Sequence, residues 1–263
     1  MISSLLYDLN HALLWQRQLC VWDRNVRAAS LDRLLFLGLH RLGWMGEQEE
    51  SLLRTLIKPG IQIVDVGANI GLYSLLLAKL TGENGQVYSF EPEQSLFATL
   101  VHNCAANNVT NVVPFQYAAG SSNGRAAFAP SAFNSGNNTL TICGTGSVEV
   151  ELVRIDDVLS VTAVDFIKVD VQDHELAALG GLKRILTAST GVRVMFEFWP
   201  AGLRAAQTEP QALLNFLSEL DFTIYSTEGC SLRKLEDSTS LIQKLGSNGY
   251  TNLLASRTTV QTP

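Results

Sequence analysis

Residues 61–71 read IQIVDVGANIG. Ile61–Val66 is short, β-branched and nearly all apolar, which suits a central parallel strand covered by helices on both faces. Gly67 lets the chain turn sharply at the strand's end and bring its backbone close to a ligand, and Gly71 lets the next helix pack tightly. Leu72, Leu75, Leu76 and Lys79 outline that helix, which stops near Gly82. Gln86–Phe90 (QVYSF) is a second strand that ends in Glu91-Pro92, so a βαβ unit is predicted.

The alternation continues towards the C-terminus. A helix through Leu96, Leu100 and Val101 precedes a strand at Val112–Ala118, and a Gly/Ser/Asn-rich stretch from Gly120 to Gly146 reads as loop or hairpin. Strands are predicted at Glu149–Val153, Asp165–Val171 and Val192–Phe198, with helices at Glu175–Leu186 and Pro210–Leu220. Phe222–Ser226 and Tyr250–Ala255 flank a polar loop and suit an antiparallel edge. Upstream, Leu31, Leu34, Leu35, Leu39 and Leu42 recur on one helix face behind a capping Ser30, so Leu5 to about Ile57 reads as a helical prelude ended by Lys58-Pro59-Gly60. Trp15, Trp22 and Trp44 in this prelude read as packing residues, or as part of a pocket cap or dimer face. Strands alternating with helices imply a doubly wound α/β sheet, whose ligands bind at the carboxyl ends of the strands, here just past Val66, Phe90, Tyr117, Val169 and Phe196.

The 263 residues suffice for one α/β core with an appendage. A net charge of −6 and no Lys/Arg run give no electrostatic footprint for a nucleic acid. Cys20, Cys104, Cys143 and Cys230 lie far apart, without the spacing of a zinc site, and read as reduced cytoplasmic thiols. Asp8, His11 and Arg17 interrupt the apolar N-terminal stretch before a signal-peptide core or membrane span is complete.

Glu91 stands roughly 20 residues past the glycine turn, where a carboxylate can accept both ribose hydroxyls of a nucleotide-like ligand. A dinucleotide enzyme would use the same acid but carries G-x-G-x-x-G to admit a diphosphate. Position 69 is Asn instead. A polar side chain there suits a ligand ending in a zwitterionic amino acid, which favours S-adenosylmethionine (SAM) over NAD.

The blocks VDVGANIGLYS, VYSFEPE, IKVDVQDHELAALGG and FEFWP, in that order and spacing, resemble the FkbM family of methyltransferases over about Glu47 to Trp199. The resemblance includes Asn134-Ser135-Gly136 with Asn138 and the hairpin through Val150–Asp157. It implies a class I methyltransferase Rossmann-like fold, with a mostly parallel seven-stranded sheet, helices on both faces and an N-terminal helical extension. On that division, residues 1–58 are the extension and 59–263 the SAM-binding domain, with an insertion at about 120–157. The resemblance further implies that Asp65, Gly67, Ala68, Asn69 and Gly71 line the methionine and ribose side of SAM and of its product S-adenosylhomocysteine (SAH). Glu91 and Pro92 would serve the ribose side, and Ala118-Ala119 would border adenine. The implied acceptor is a hydroxyl of a sugar or polyketide-like small molecule. One residue departs from the pattern: the family usually has Gly after Asp-Val-Gln/Glu, and this chain has Asp173, which would serve as N-cap to the following helix.

SAM arrives activated, so alignment of the acceptor is the enzyme's main task. A base near an aliphatic hydroxyl adds a factor of roughly 10² to 10⁴. Asp170 shares a face with Lys168, either as a charge pair at the sheet edge or as a cofactor or substrate contact. His174, at the start of the next helix, reads as a base or a solvated turn residue. Glu175 reads as a first-turn helix carboxylate or a substrate contact. Glu197, set among Phe196, Phe198 and Trp199, is the leading substrate-facing acid, because a carboxylate among aromatics needs a partner. Asn134, Asn138 and Trp199 complete the candidate substrate contacts. Nothing in the spacing requires a metal. The alternatives are an NAD-dependent oxidoreductase or epimerase, and a non-catalytic module that retains the cofactor fold.

Overall fold

The computed structural model describes residues 19–21, 23–27, 47–129, 139–141, 148–228, 231–247 and 249–260. The leucine-patterned segment 31–42 with its cap, Trp15, Trp22, Trp44, Asn134 and Asn138 lie outside the described residues.

The sheet is built outward from β3 (Gln62–Val66), the strand quoted above. β4 (Gln86–Phe90) and β5 (Val112–Phe115) follow on one side, and β10 (Phe166–Val169) and β11 (Arg193–Phe198) on the other, all parallel. β14 (Thr251–Ser256) inserts antiparallel between β11 and β12 (Thr223–Glu228). β13 (Ser231–Lys234) closes that edge, so the order is β13-β12-β14-β11-β10-β3-β4-β5. The doubly wound α/β architecture is as expected, with eight strands among the described residues instead of the seven implied. The difference arises in the polar loop after β12, which folds back as strand β13 and then as a helix at Ser238–Leu245, capped by the Asp237 side chain on the amides of Thr239 and Ser240.

Two further departures fall within expected elements. The expected strand Val112–Ala118 breaks after Phe115, and Ala118–Ala119 (β6) joins a second, four-stranded sheet with Gly124–Ala129 (β7), Thr139–Thr141 (β8) and Val148–Val153 (β9). The expected helix Glu175–Leu186 is two helices, α5 (Glu175–Gly180) and α6 (Lys183–Ala188). At the break, a Cβ on Gly181 would overlap the carbonyl oxygen of Gly120, so only glycine lets these backbones meet.

The prelude is helical at α1 (Glu47–Leu56), but Leu19–Val21 (β1) and Arg24–Val26 (β2) pair as an antiparallel hairpin where helix was predicted. Leu52, Leu53 and Leu56 of α1 are buried with Ile63, Phe166, Met195 and Leu254, so this helix covers the middle of one sheet face. On the same face lies α2 (Leu72–Thr81), and α3 (Gln94–Ala106) packs beside α2. The opposite face carries the largest core, in which Val64, Val169, Phe196 and Leu253 meet Leu179, Ile185, Leu213 and Leu217.

Candidate active site

Strand alternation gives the face beneath α1 and α2 a graded character. One row across the sheet is Asp65, Lys168, Met195 and Leu254, and two residues further along β10, β11 and β14 come Asp170, Glu197 and Asn252. That face is apolar at the strand beginnings, where Ile63 and Phe166 lie, and polar at the carboxyl ends.

At the first carboxyl end, Gly67 has φ +81 and a Cβ there would overlap the carbonyl oxygen of Asp170. Gly67 is therefore required by the approach of β10. Gly71, at φ +86, faces Leu100 of α3, so it serves packing between helices rather than of helix on strand. Asn69 is also left-handed, at φ 53, a conformation that asparagine tolerates better than most residues. The amides that follow Gly67 and Ala68 are engaged: Asn69 N–H donates to Glu91 Oε2 at 2.9 Å, Ile70 N–H to Asn69 Oδ1 at 2.7 Å, and Gly71 N–H to Ala68 O at 2.9 Å. A diphosphate needs such amides free, so this turn is a poor dinucleotide cradle.

Glu91 is buried and its Oε1 accepts the amide of Glu93 at 2.9 Å, so one carboxylate ties the turn to the end of β4. Burial pushes its pKa up to about 7 against the pull of these two amides. Asp65 is fully buried. Its Oδ2 accepts the Ser74 hydroxyl at 2.6 Å, Ser89 donates on to Ser74, and Oδ1 has no partner among the described residues. Burial raises its pKa. A carboxylate at the sugar position, a second with an unmet oxygen below the turn, and occupied amides fit an adenosyl amino acid in their donor chemistry. Pro92 is half-buried beside Glu91, and Ala118–Ala119 is buried on the small sheet. A cavity of 590 Å³ lies between the two sheets, lined among others by Pro92, Glu93, Phe115, Tyr117 and Val150.

At the carboxyl ends of β10 and β11 the chain brings Asp170 and Glu197 together. Lys168 Nζ lies 2.9 Å from Asp170 Oδ2. This pair sits in the middle of the sheet, not at its edge as the charge-pair reading placed it. Gln172 Nε2 donates to both Asp170 Oδ1 (3.1 Å) and Glu197 Oε2 (2.9 Å). The two carboxyls are pushed apart. Burial alone would raise Asp170, but the Lys168 ammonium and the two hydrogen bonds hold it below the usual range. Glu197 is pushed up to about 7 by burial and then by the negative Asp170, with Lys168 opposing.

Asp173 does not cap α5 as expected. It holds φ +79, the position where a glycine would be unstrained, and its Oδ1 lies against Gly202 without a partner among the described residues. His174 takes the N-cap position with no side-chain capping bond. Glu175 is almost fully buried, and burial raises it to about 8. Trp199 is the N-cap of α7 (Pro200–Ala205) and half-buried, and its Nε1 lacks a partner among the described residues. Among those residues no group of three or more metal-ligating side chains is placed to hold an ion, and no helix is long and apolar enough to cross a membrane.

Sequence reasoning missed four residues. Gln172 and Tyr73 lie inside the quoted blocks but are uncharged at neutral pH. Glu49 recurs at the spacing of Leu52, Leu53 and Leu56 on the buried side of α1, so an acid on an apolar stripe was the available signal. Asn252 carried no local signal, because only strand pairing sets it opposite Glu197.

A model described as the methyltransferase FkbM domain matches residues 65–224. The hexuronic acid methyltransferase AglP of Haloferax volcanii is 28% identical over 195 residues, which span 72% of this chain and 74% of that protein. Methyltransferase sdnD of Sordaria araneosa is 29% identical over 178 residues, spanning 54% and 68%. Among solved structures, a SAM-dependent O-methyltransferase of Thermotoga maritima overlays with a TM-score of 0.47 at 15% identity, covering 87% of this chain and 73% of that one.

Proposed function

The chain belongs to the FkbM family of SAM-dependent methyltransferases, and from that premise we propose that it methylates a hydroxyl of a small molecule, with Glu197 as general base. When bound, SAM supplies an electrophilic methyl on a sulfonium; the protein's own work is to hold the donor, align the acceptor and take a proton. Glu91 would hold the ribose hydroxyls, with Pro92 beside them, Ala118 and Ala119 bordering adenine, and Asp65, Gly67, Ala68, Asn69 and Gly71 along the amino-acid side.

The observation that carries the choice of base is the split pair bridged by Gln172. Asp170 spends its lone pairs on Lys168 and Gln172 and stays ionised, a poor proton acceptor that is better suited to cofactor contact. Glu197 balances near neutrality, where a carboxyl both accepts a proton and releases it to water. A hydroxyl acceptor needs such a base, whereas a carboxylate acceptor does not. Trp199, Asn134, Asn138, His174 and Glu175 are the proposed acceptor contacts or secondary acids. The hexuronic acid methyltransferase of Haloferax volcanii supports a sugar as acceptor, and the family resemblance extends the choice to a polyketide-like metabolite. The acidic chain makes a nucleic-acid acceptor unfavourable, and the thiols Cys20 and Cys104 suit the cytoplasm.

The test is transfer of isotopically labelled methyl from SAM to hexuronic acid glycosides, neutral hexose glycosides and hydroxylated polyketides. A product that survives mild alkali is an ether and supports hydroxyl methylation. An alkali-labile ester, or label on nitrogen, would overturn it.

A further inference from the structure

Lys168 is a buried ammonium whose charge the proposed chemistry uses only indirectly, and part of what holds its surroundings in place comes from beyond the family-matched segment. Its side chain is 5% exposed. The ammonium lies 4.1 Å from the centroid of the Tyr73 ring and 2.9 Å from Asp170 Oδ2. Cation–ring contact in a desolvated place is a sizeable attraction. The Tyr73 hydroxyl in turn donates to Glu49 Oε2 at 2.5 Å, and Asn252 Nδ2 donates to Glu49 Oε1 at 3.0 Å. Asn252 is the strand neighbour of Glu197 in the β11–β14 pairing. The contacts therefore run from α1, through Tyr73 on α2, to Lys168 on β10 and Asp170 just past its end, then through Gln172 to Glu197 on β11, and from β14 back to α1.

Glu49 and Asn252 both lie outside residues 65–224. The strand order explains why they are needed. Lys168 projects from the centre of the sheet, so only a helix lying across that face can hold the ring that covers its ammonium, and α1 does so from beside α2. An unanchored lysine would be free to leave Asp170 for water, because its flexible four-carbon stem reaches several positions.

We propose that Glu49 and Asn252 are positioning residues: they clamp Tyr73 over Lys168, so that the ammonium stays on Asp170 and the Gln172 bridge holds Glu197 in place for proton removal. The helix Glu47–Leu56 is on this view part of the catalytic apparatus. The inference rests on the methyltransferase reading with Glu197 as base.

The groups that face Lys168 are Glu49 from α1, Asp65 from β3, Tyr73 from α2, Glu197 from β11 and Asp170 just past the end of its own strand. Burial alone would lower its pKa, and Asp170, Asp65 and Glu49 hold it above the ordinary value.

A double-mutant cycle tests the clamp. Glu49→Gln keeps the shape of the side chain and its acceptor for Tyr73 while removing the charge. It is expected to lower kcat with an acceptor identified by the methyl-transfer assay about tenfold, a coupling of the size seen between interacting groups. SAH affinity by titration calorimetry should stay within about twofold. Glu49→Gln combined with Lys168→Met should be no slower than Lys168→Met alone. By NMR of labelled lysine side chains, the Lys168 titration should move to lower pH in Glu49→Gln. Asn252→Ser, which leaves every charge in place, should lower kcat in the same direction and provides the test if Glu49→Gln does not fold. Additive losses in the cycle, an unmoved Lys168 titration, or an unchanged kcat in a folded variant would overturn the clamp. Wild-type protein that binds SAH and transfers no methyl to any acceptor would overturn the reading beneath it instead.

Discussion

The carbonyl oxygen of Asp170 occupies the space that a Cβ on Gly67 would fill. This close approach locks the turn after β3 to the end of β10, so the proposed donor loop and the Asp170–Gln172–Glu197 bridge are parts of one packed unit.

Gly67→Ala should therefore be strongly destabilising. The residue would carry a side chain at φ +81 and also displace Asp170. A loss of at least about 2 kcal/mol is expected from the left-handed backbone and the overlap together. Urea unfolding is the measurement, and a loss under about 0.5 kcal/mol would mean that the two strand ends separate easily.

Glu197→Gln should preserve the Gln172 contact as a neutral pair yet remove the base. Turnover is expected to fall roughly 10² to 10⁴-fold, with SAH affinity within about twofold. Equal losses in both would make Glu197 a structural residue.

Stability and activity should respond to pH in opposite directions. Glu91 and Glu197 are raised from 4.5 to about 7 and Glu175 to about 8. The folded protein then binds more protons than the unfolded chain between about pH 4.5 and 8, so these groups favour folding fully at the acid end and less as pH rises through the folded values. Methyl transfer, which needs ionised Glu197, should instead rise through about pH 7. Melting temperatures across this range are expected to fall with pH, and Glu175→Gln, which mimics the protonated acid, should flatten the slope. A slope unchanged by that variant would contradict the assignment.

Asp173→Gly should relieve the strain of φ +79 and stabilise the protein by about 1 kcal/mol. Gly202→Ala should destabilise it, since a Cβ there meets Asp173 Oδ1 and the Trp199 ring. In the double variant Asp173→Gly relieves one of these two contacts, so the effects should be less than additive. Strict additivity would place Asp173 elsewhere.

Much of this arrangement was legible in the sequence, for local reasons. The strand Ile61–Val66, the glycine turn and Glu91 lie within one βαβ unit, where spacing along the chain fixes spacing in space, and β3 and β4 formed with Glu91 against Asn69. Residues that meet through strand pairing were not legible. Asn252 sits opposite Glu197 only because β14 threads between β11 and β12, an order that no local pattern encodes. Aspartate at 173 suits both an N-cap and left-handed backbone, and only the packing against Gly202 decides which. The hairpin at Leu19–Val26 has an apolar pattern too short to separate strand from helix.

The donor assignment at the Asp65–Gly71 turn and Glu91 is tested most directly by thermal unfolding with SAH and with NAD. At a SAH concentration of about 100 times Kd, stabilisation of about 2.7 kcal/mol is expected. That corresponds to a rise of roughly 5–10 °C in Tm for a chain of this size, with NAD giving no shift. A rise with NAD and none with SAH would contradict it.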